Sequence, residues 1–177
     1  MDAYLGQTQD IILGQDFLTW LWFKSEIQNG QFTTTAGETF ELHIEQRVSV
    51  QGGEGESLET ASVAGAMSEL KEVRLGLVRG KKVTRALVRI EVDSEIWLVT
   101  LKAEDFSINS LRTPKIKASH EDNYDLDAKF LEKIYLIERG LNILDGVFCD
   151  FLALRLSDGW PKEVASVLNW IVETNST

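Results

Sequence analysis

From residue 130 onward, the large apolar side chains of this 177-residue chain fall at Phe130, Ile134, Ile137, Leu141, Leu144, Phe148 and Phe151, in steps of four and three. That is the heptad-like spacing of one helical face. It predicts one helix over roughly 127–156, which at 1.5 Å per residue is about 45 Å long. A second stripe, Leu136, Ile143, Val147 and Leu154, runs beside the first, so more than one face needs cover. A small domain has little surface of its own to cover both. Ile137, Leu141, Leu144 and Phe148 are therefore the expected oligomer interface, most simply in a two-fold homodimer.

Upstream of this helix the apolar period changes several times. GQDFLTWLWFKSEIQNG (14–30) reads as a helix ended by Gly30, apolar on nearly every face and so buried on more than one side. ETFELHIEQRVSV alternates, with Phe40, Leu42 and Ile44 on one face and Glu41, His43 and Glu45 on the other, as in a half-buried strand. GGEGES reads as a turn and LETASVAG as the partner strand. MSELKEVRLGLVRG returns to helical spacing through Met67, Leu70, Val73 and Leu77, with Ser68 as N-cap and Gly80 as terminator. VTRALVRIEV alternates again, with Ala86, Val88, Ile90 and Val92 opposite Arg85, Arg89 and Glu91. Asp93-Ser94 reads as a tight turn and IWLVTLKA as the returning strand, with FSINSLRTPKIKA as a third strand or extended segment. Trp160-Pro161 opens a shorter last helix, proline being favoured in a first turn. The order of elements predicts an α+β fold: an antiparallel sheet of hairpins, packed helices and a long C-terminal helix. It divides into a lead-in (1–13), an α+β region (14–120) and a helical region (121–177).

The residues offer little to catalysis. His43 lies on the polar face of a strand and His120 in an acidic loop, and no serine or cysteine nucleophile motif accompanies either. The one cysteine, Cys149, sits among Val147, Phe148 and Phe151, where a buried, inert thiol is expected. It leaves no internal disulfide and fits a reducing compartment. EDNYDLDAKFLE sets Glu121, Asn123, Asp125, Asp127 and Glu132 at offsets close to those of a calcium loop. Leu126 stands where that loop needs glycine, so the stretch reads as an acidic lead-in capped by Asp125 or Asp127. No phosphate-binding glycine loop, metal site or cofactor site is expected, and the chain is read as a non-enzyme. Phe17, Trp20, Trp22 and Phe23, aromatic at helical spacing, read as core rather than as a base-stacking platform. With no signal-peptide pattern and no membrane-length apolar run, the expected location is the cytoplasm.

Charge supplies the strongest functional clue. The chain has a formal net charge of −10, yet residues 71–89, KEVRLGLVRGKKVTRALVR, hold seven of its eighteen Lys and Arg. Arg74 and Arg79 fall late in the predicted helix, Lys81 and Lys82 in the loop, and Arg85 and Arg89 on one face of the strand. Arg112, Lys115 and Lys117 join if the third strand packs nearby. Such a cluster suits the phosphate backbone of nucleic acid, while the overall acidity argues against indiscriminate coating of nucleic acid.

GKKVTRALVRI, after a short helix and before IWLVTLKAEDFSINSLRTPKI, resembles the C-terminal half of the bacterial recombination-associated protein RdgC family. That family has a Gly-Lys-x-Val-Thr turn-to-strand element, matched here by Gly80, Lys81, Val83 and Thr84. It also has a Leu-Thr-x-Trp-Leu helix, to which FLTWLWFKSE is similar through Leu18, Thr19, Trp20 and Leu21, without the residue between Thr and Trp. The likeness spans roughly 14–117. The chain is shorter than the family's members, and LETASVAGAM replaces a basic run that they carry before the short helix. The resemblance implies duplex DNA binding without base preference, modulation of recombination, a dimeric assembly, a recombinase or other protein as partner, and a bacterial nucleoid location. The residues also admit another reading: an acidic, oligomeric protein-interaction or inhibitory subunit, phage- or mobile-element-linked, that acts through its long apolar helix.

Overall fold

A computed structural model of the chain describes residues 10–52, 59–64, 75–116 and 126–173. The first helix, α1, spans Ile11–Ile27. The Asp10 carboxylate caps it by accepting the N–H groups of Ile12 and Leu13 at 2.9 and 3.0 Å, which satisfies two of the donors that a helix start leaves unpaired. The helix thus begins ahead of Gly14, and residues 10–13 belong to it rather than to a lead-in. Its far end closes through Gly30, whose N–H donates to the Ser25 carbonyl at 2.8 Å. Gly30 sits at φ 77°, and a Cβ there would lie 2.2 Å from the His43 ring. Both facts require glycine.

Among the described residues six strands follow: β1 (Gln31–Thr33), β2 (Thr39–Gly52), β3 (Glu59–Ala64), β4 (Lys82–Val92), β5 (Glu95–Lys102) and β6 (Ile108–Arg112). They form one antiparallel sheet in the order β1-β2-β4-β5-β6, with β3 paired to β2. Glu41 has Gln31 and Glu91 as its two neighbours, and Val48 has Val63 and Ala86. β1 and β3 therefore occupy successive stretches of the same edge of β2. The three-residue β1 was not foreseen; a strand that short leaves almost no periodic signal. Asp93, at φ 56°, turns β4 into β5. A helical turn at 75–78, closed by Gly80 at φ 79°, precedes β4. The start of that helix, with Met67, Ser68, Leu70 and Val73, lies outside the described residues.

The long helix α2 spans Leu126–Arg155 and the last helix, α3, spans Trp160–Glu173. The fold is α+β, an antiparallel sheet with helices packed on it. On the packed face of the sheet, Leu42, Val50, Val83, Val88, Ile90, Trp97 and Val99 are wholly buried. α1 packs against this face beside the long helix, and Phe17, Leu18, Trp20, Leu21, Trp22, Phe23 and Ser25 are all buried. Phe17 meets Phe106 of the β5–β6 turn and Phe148 and Phe151 of α2, with ring centroids 6.1, 5.2 and 5.2 Å apart. The sequence-defined regions 14–120 and 121–177 thus share one core. Two carboxylates clamp α3 to α1. Glu26 accepts the indole N–H groups of Trp22 and Trp170 at 2.8 and 2.9 Å. Glu163 accepts that of Trp20 at 2.9 Å and pairs with Lys24 at 2.6 Å.

On α2 the buried side chains are Leu136, Ile143, Leu144, Val147, Phe148 and Phe151, with Gly140 among them. Trp97 packs against Gly140 and donates its indole N–H to the Leu136 carbonyl at 2.8 Å. The heptad stripe is therefore not a single interface. Leu144 and Phe148 are wholly buried inside their own chain, Ile137 and Leu141 are half-buried, and Phe130 is 65% exposed. The physical reason is pitch. A straight helix rotates by about 20° per heptad against a 3.5-residue repeat, so a seam that faces the core at one end turns away at the other. Leu136 and Val147, from the second stripe, take its place on the sheet side.

Candidate nucleic-acid interface

Among the described residues no helix covers the second face of the sheet, and register fixes what that face shows. His43, Arg89, Leu98 and Arg112 form one row across β2, β4, β5 and β6. Glu41, Glu91 and Ile96 form the row toward one end of the sheet. Ser49, Arg85 and Lys102 form the row toward the other. All of these side chains are half-buried or exposed. Along these three rows the acids lie toward one end and Arg85 and Lys102 toward the other, although Glu104 and Asp105 in the β5–β6 turn border the cationic end.

Arg89, at the boundary, is held by the acids. Its guanidinium pairs with Glu91 and lies 4.0 Å from Glu45. It reaches toward the acidic row and is partly neutralised there. Arg85 is exposed and stands directly opposite Lys102 on β5. Facing residues on antiparallel strands are about 4.5–5.5 Å apart at Cα, so the two cations share one patch. The same end of β4 receives the turn with Arg79 and Lys81. A register shift between Ser49 and Val50 separates Arg85 from Lys82, and the shift is pinned by the Thr84 hydroxyl donating to the Ser49 carbonyl at 3.2 Å. Lys82 lines a cleft on the helical side with Asp16 and Trp160. The cations wrap the end of the sheet as a rim: Lys102 and Arg85 on the open face, Arg79 and Lys81 in the turn, Lys82 beyond it.

Of the other expected phosphate ligands, Arg112 and Lys115 do not join this rim. β6 runs antiparallel to β5, so it carries Arg112 back to the Arg89 row and the chain beyond it further away. Arg74 and Lys117 lie outside the described residues. Lys102 was missed by sequence reading, because it stands apart from the basic stretch and only strand pairing brings it to Arg85. Lys102 also faces an acid near the rim. Asp105, in the β5–β6 turn, is held below its ordinary pKa by hydrogen bonds from the Ser107 side chain and backbone N–H, with a further contribution from Lys102.

The residues weighed for catalysis are not assembled. The His43 ring packs on Gly30 with Glu41 3.9 Å away, and His120 lies outside the described residues. Cys149 is exposed rather than buried. It sits on the face of α2 opposite Leu144 and Val147, because one step beyond Phe148 rotates a residue by about 100°. Asp127 lies in the first turn of α2, where a carboxylate suits the helix dipole; residues 121–125, including Asp125, lie outside the described residues. Among the described residues no group of three or more His, Cys, Asp or Glu is arranged to hold a metal ion. No helix among them is long and apolar enough to cross a membrane. A cavity of about 140 Å³ lies between α1, the β1–β2 hairpin and α2. Its charged groups are already engaged, Lys24 with Glu163 and Asp150 with the backbone N–H and hydroxyl of Thr35.

Comparison of the chain with protein-family models, with curated proteins and with solved structures yields no match in any of the three.

Proposed function

We propose that the chain is a non-enzymatic, DNA-associated module that resembles the RdgC family and binds duplex backbone without base preference through the basic rim. The observation that carries this reading is the direct pairing of Arg85 with Lys102, continuous with Arg79, Lys81 and Lys82, at the end of the sheet away from Glu41 and Glu91. Phosphate contacts give affinity that is independent of sequence and depends on counterion release. The net charge of −10 opposes approach from a distance, so binding belongs to low ionic strength. The test is a salt titration of binding to two unrelated duplexes of equal length. Four or five neutralised phosphates give a slope of log affinity against log salt of roughly −3.6 to −4.5. Equal affinities with that slope support the reading. No binding at low salt, or a strong preference for one duplex, overturns it.

A second reading rests on a separate observation. Leu126, Phe130, Leu131 and Tyr135, in the first third of α2, are 81, 65, 64 and 57% exposed. At about 100° per residue Leu126 and Phe130 share one side of the helix and Leu131 and Tyr135 another, so this end of α2 exposes apolar surface that association would cover. The corresponding proposal is an oligomeric interaction subunit, most simply a homodimer, and a monomer mass in light scattering at tens of micromolar counts against it.

A further inference from the structure

The cleft that Lys82 lines is separate from the open sheet face. It runs between α1 and α3, has a cavity of about 100 Å³, and has an apolar floor of Trp20, Trp160, Val164, Val167, Leu168 and Ile171. The apolar surface extends outward, because Leu168 and Val172 are 57 and 62% exposed. Its charges are unequal. Asp16, on one wall, is neutralised by Arg155 at 2.9 Å, and that guanidinium also lies over the Trp160 ring at 5.2 Å. Lys82, on the other wall, is exposed and has no acidic partner among the described residues. The cleft therefore offers an apolar socket beside a cation for which the described residues show no acidic partner, with Arg79 and Lys81 adjoining in sequence.

We infer that this cleft docks a peptide segment of a partner protein in which one leucine-sized apolar side chain is flanked by acidic residues. The size follows from the cavity, since engineered cavities of about 150 Å³ hold a benzene-sized guest. Two indoles supply the kind of wall at which interface energy concentrates. The charge follows from Lys82: a carboxylate beside the anchor gives that ammonium a partner, whereas a basic flank meets repulsion. The arrangement has a consequence for the basic rim. Lys82 belongs to both surfaces, so an acidic segment in the cleft and a phosphate backbone on the rim compete. The docking inference itself does not depend on DNA binding.

The experiment uses the full chain and three fluorescein-labelled peptides, read by anisotropy: a leucine flanked by aspartates, the same leucine flanked by lysines, and the aspartate peptide with glycine in place of leucine. The aspartate–leucine peptide binds about tenfold tighter than either control. Lys82→Glu weakens it by about tenfold or more. Leu168→Asp, at an exposed position that leaves the far-ultraviolet circular dichroism unchanged, does the same through the anchor. Arg85→Glu with Lys102→Glu leaves peptide affinity within about twofold while lowering DNA affinity, which separates failure of one reading from failure of the other. Equal binding of the acidic and basic peptides, no saturable binding, or unchanged affinity in both Lys82→Glu and Leu168→Asp overturns the proposal. Saturable binding of decanoate in the absence of peptide binding overturns it in favour of a small apolar acid.

Discussion

Two residues show how tightly single positions are determined. A Cβ on Gly140 would stand 2.7 Å from Cδ1 of Trp97, which is wholly buried and tied to the Leu136 carbonyl. Neither ring nor helix can yield without breaking that bond. Gly140→Ala is expected to destabilise the fold by about 1–3 kcal/mol, measured by urea denaturation, despite the better helix propensity of alanine. Asp105 holds the β5–β6 turn through Ser107, beside Phe106, which is buried at φ 53°. Its folded pKa lies below the ordinary aspartate value of 3.8. The stabilisation is therefore complete above that value and is lost as pH falls through the lower folded value. An NMR titration should show the Asp105 carboxylate titrating below 3.8; Asp105→Ala should remove the difference in acid stability it causes.

At the scale of elements, alternation was the most legible signal. Leu42, Val88, Ile90 and Val92 are buried where a period of two places them, because one covered face punishes any slip of register. Phe17, Trp20, Trp22 and Phe23 are core for the reason their spacing gave: an all-round apolar helix has to be enclosed. The face of α2 was not legible. A heptad pattern states which residues share a stripe, not where the stripe parts from the core. Trp97 and Gly140 set that point, and neither carries a periodic signal. This leads to a paired prediction. Phe148→Ala, at a wholly buried site, should cost about 3–5 kcal/mol in denaturant unfolding. Phe130→Ala, from the same stripe, should change stability by no more than about 0.5 kcal/mol because its ring is exposed. Comparable losses at both sites would mean that the first turns of α2 are covered.

At the scale of the molecule, the basic stretch is neither a uniform patch nor an accident of composition. Strand direction divides it. Arg89 is drawn to the acids Glu91 and Glu45, Lys82 passes to the helical side, and Arg85 gains Lys102 from a strand that the stretch does not include. The end rows of the open face therefore carry different charge although the chain as a whole is acidic, with Glu104 and Asp105 bordering the cationic row. This sorting, not net charge, is the core of the functional account, and one comparison isolates it. Arg85→Glu with Lys102→Glu and Arg112→Glu with Lys115→Glu make the same change in net charge at different places. Duplex affinity at low salt is predicted to fall by about a hundredfold or more in the first double variant, since each lost phosphate contact at charged groups is worth roughly 1.5–3 kcal/mol. It is predicted to stay within a fewfold of the parent in the second, where only long-range repulsion grows. Equal losses in the two variants, or none in the first, would contradict the account.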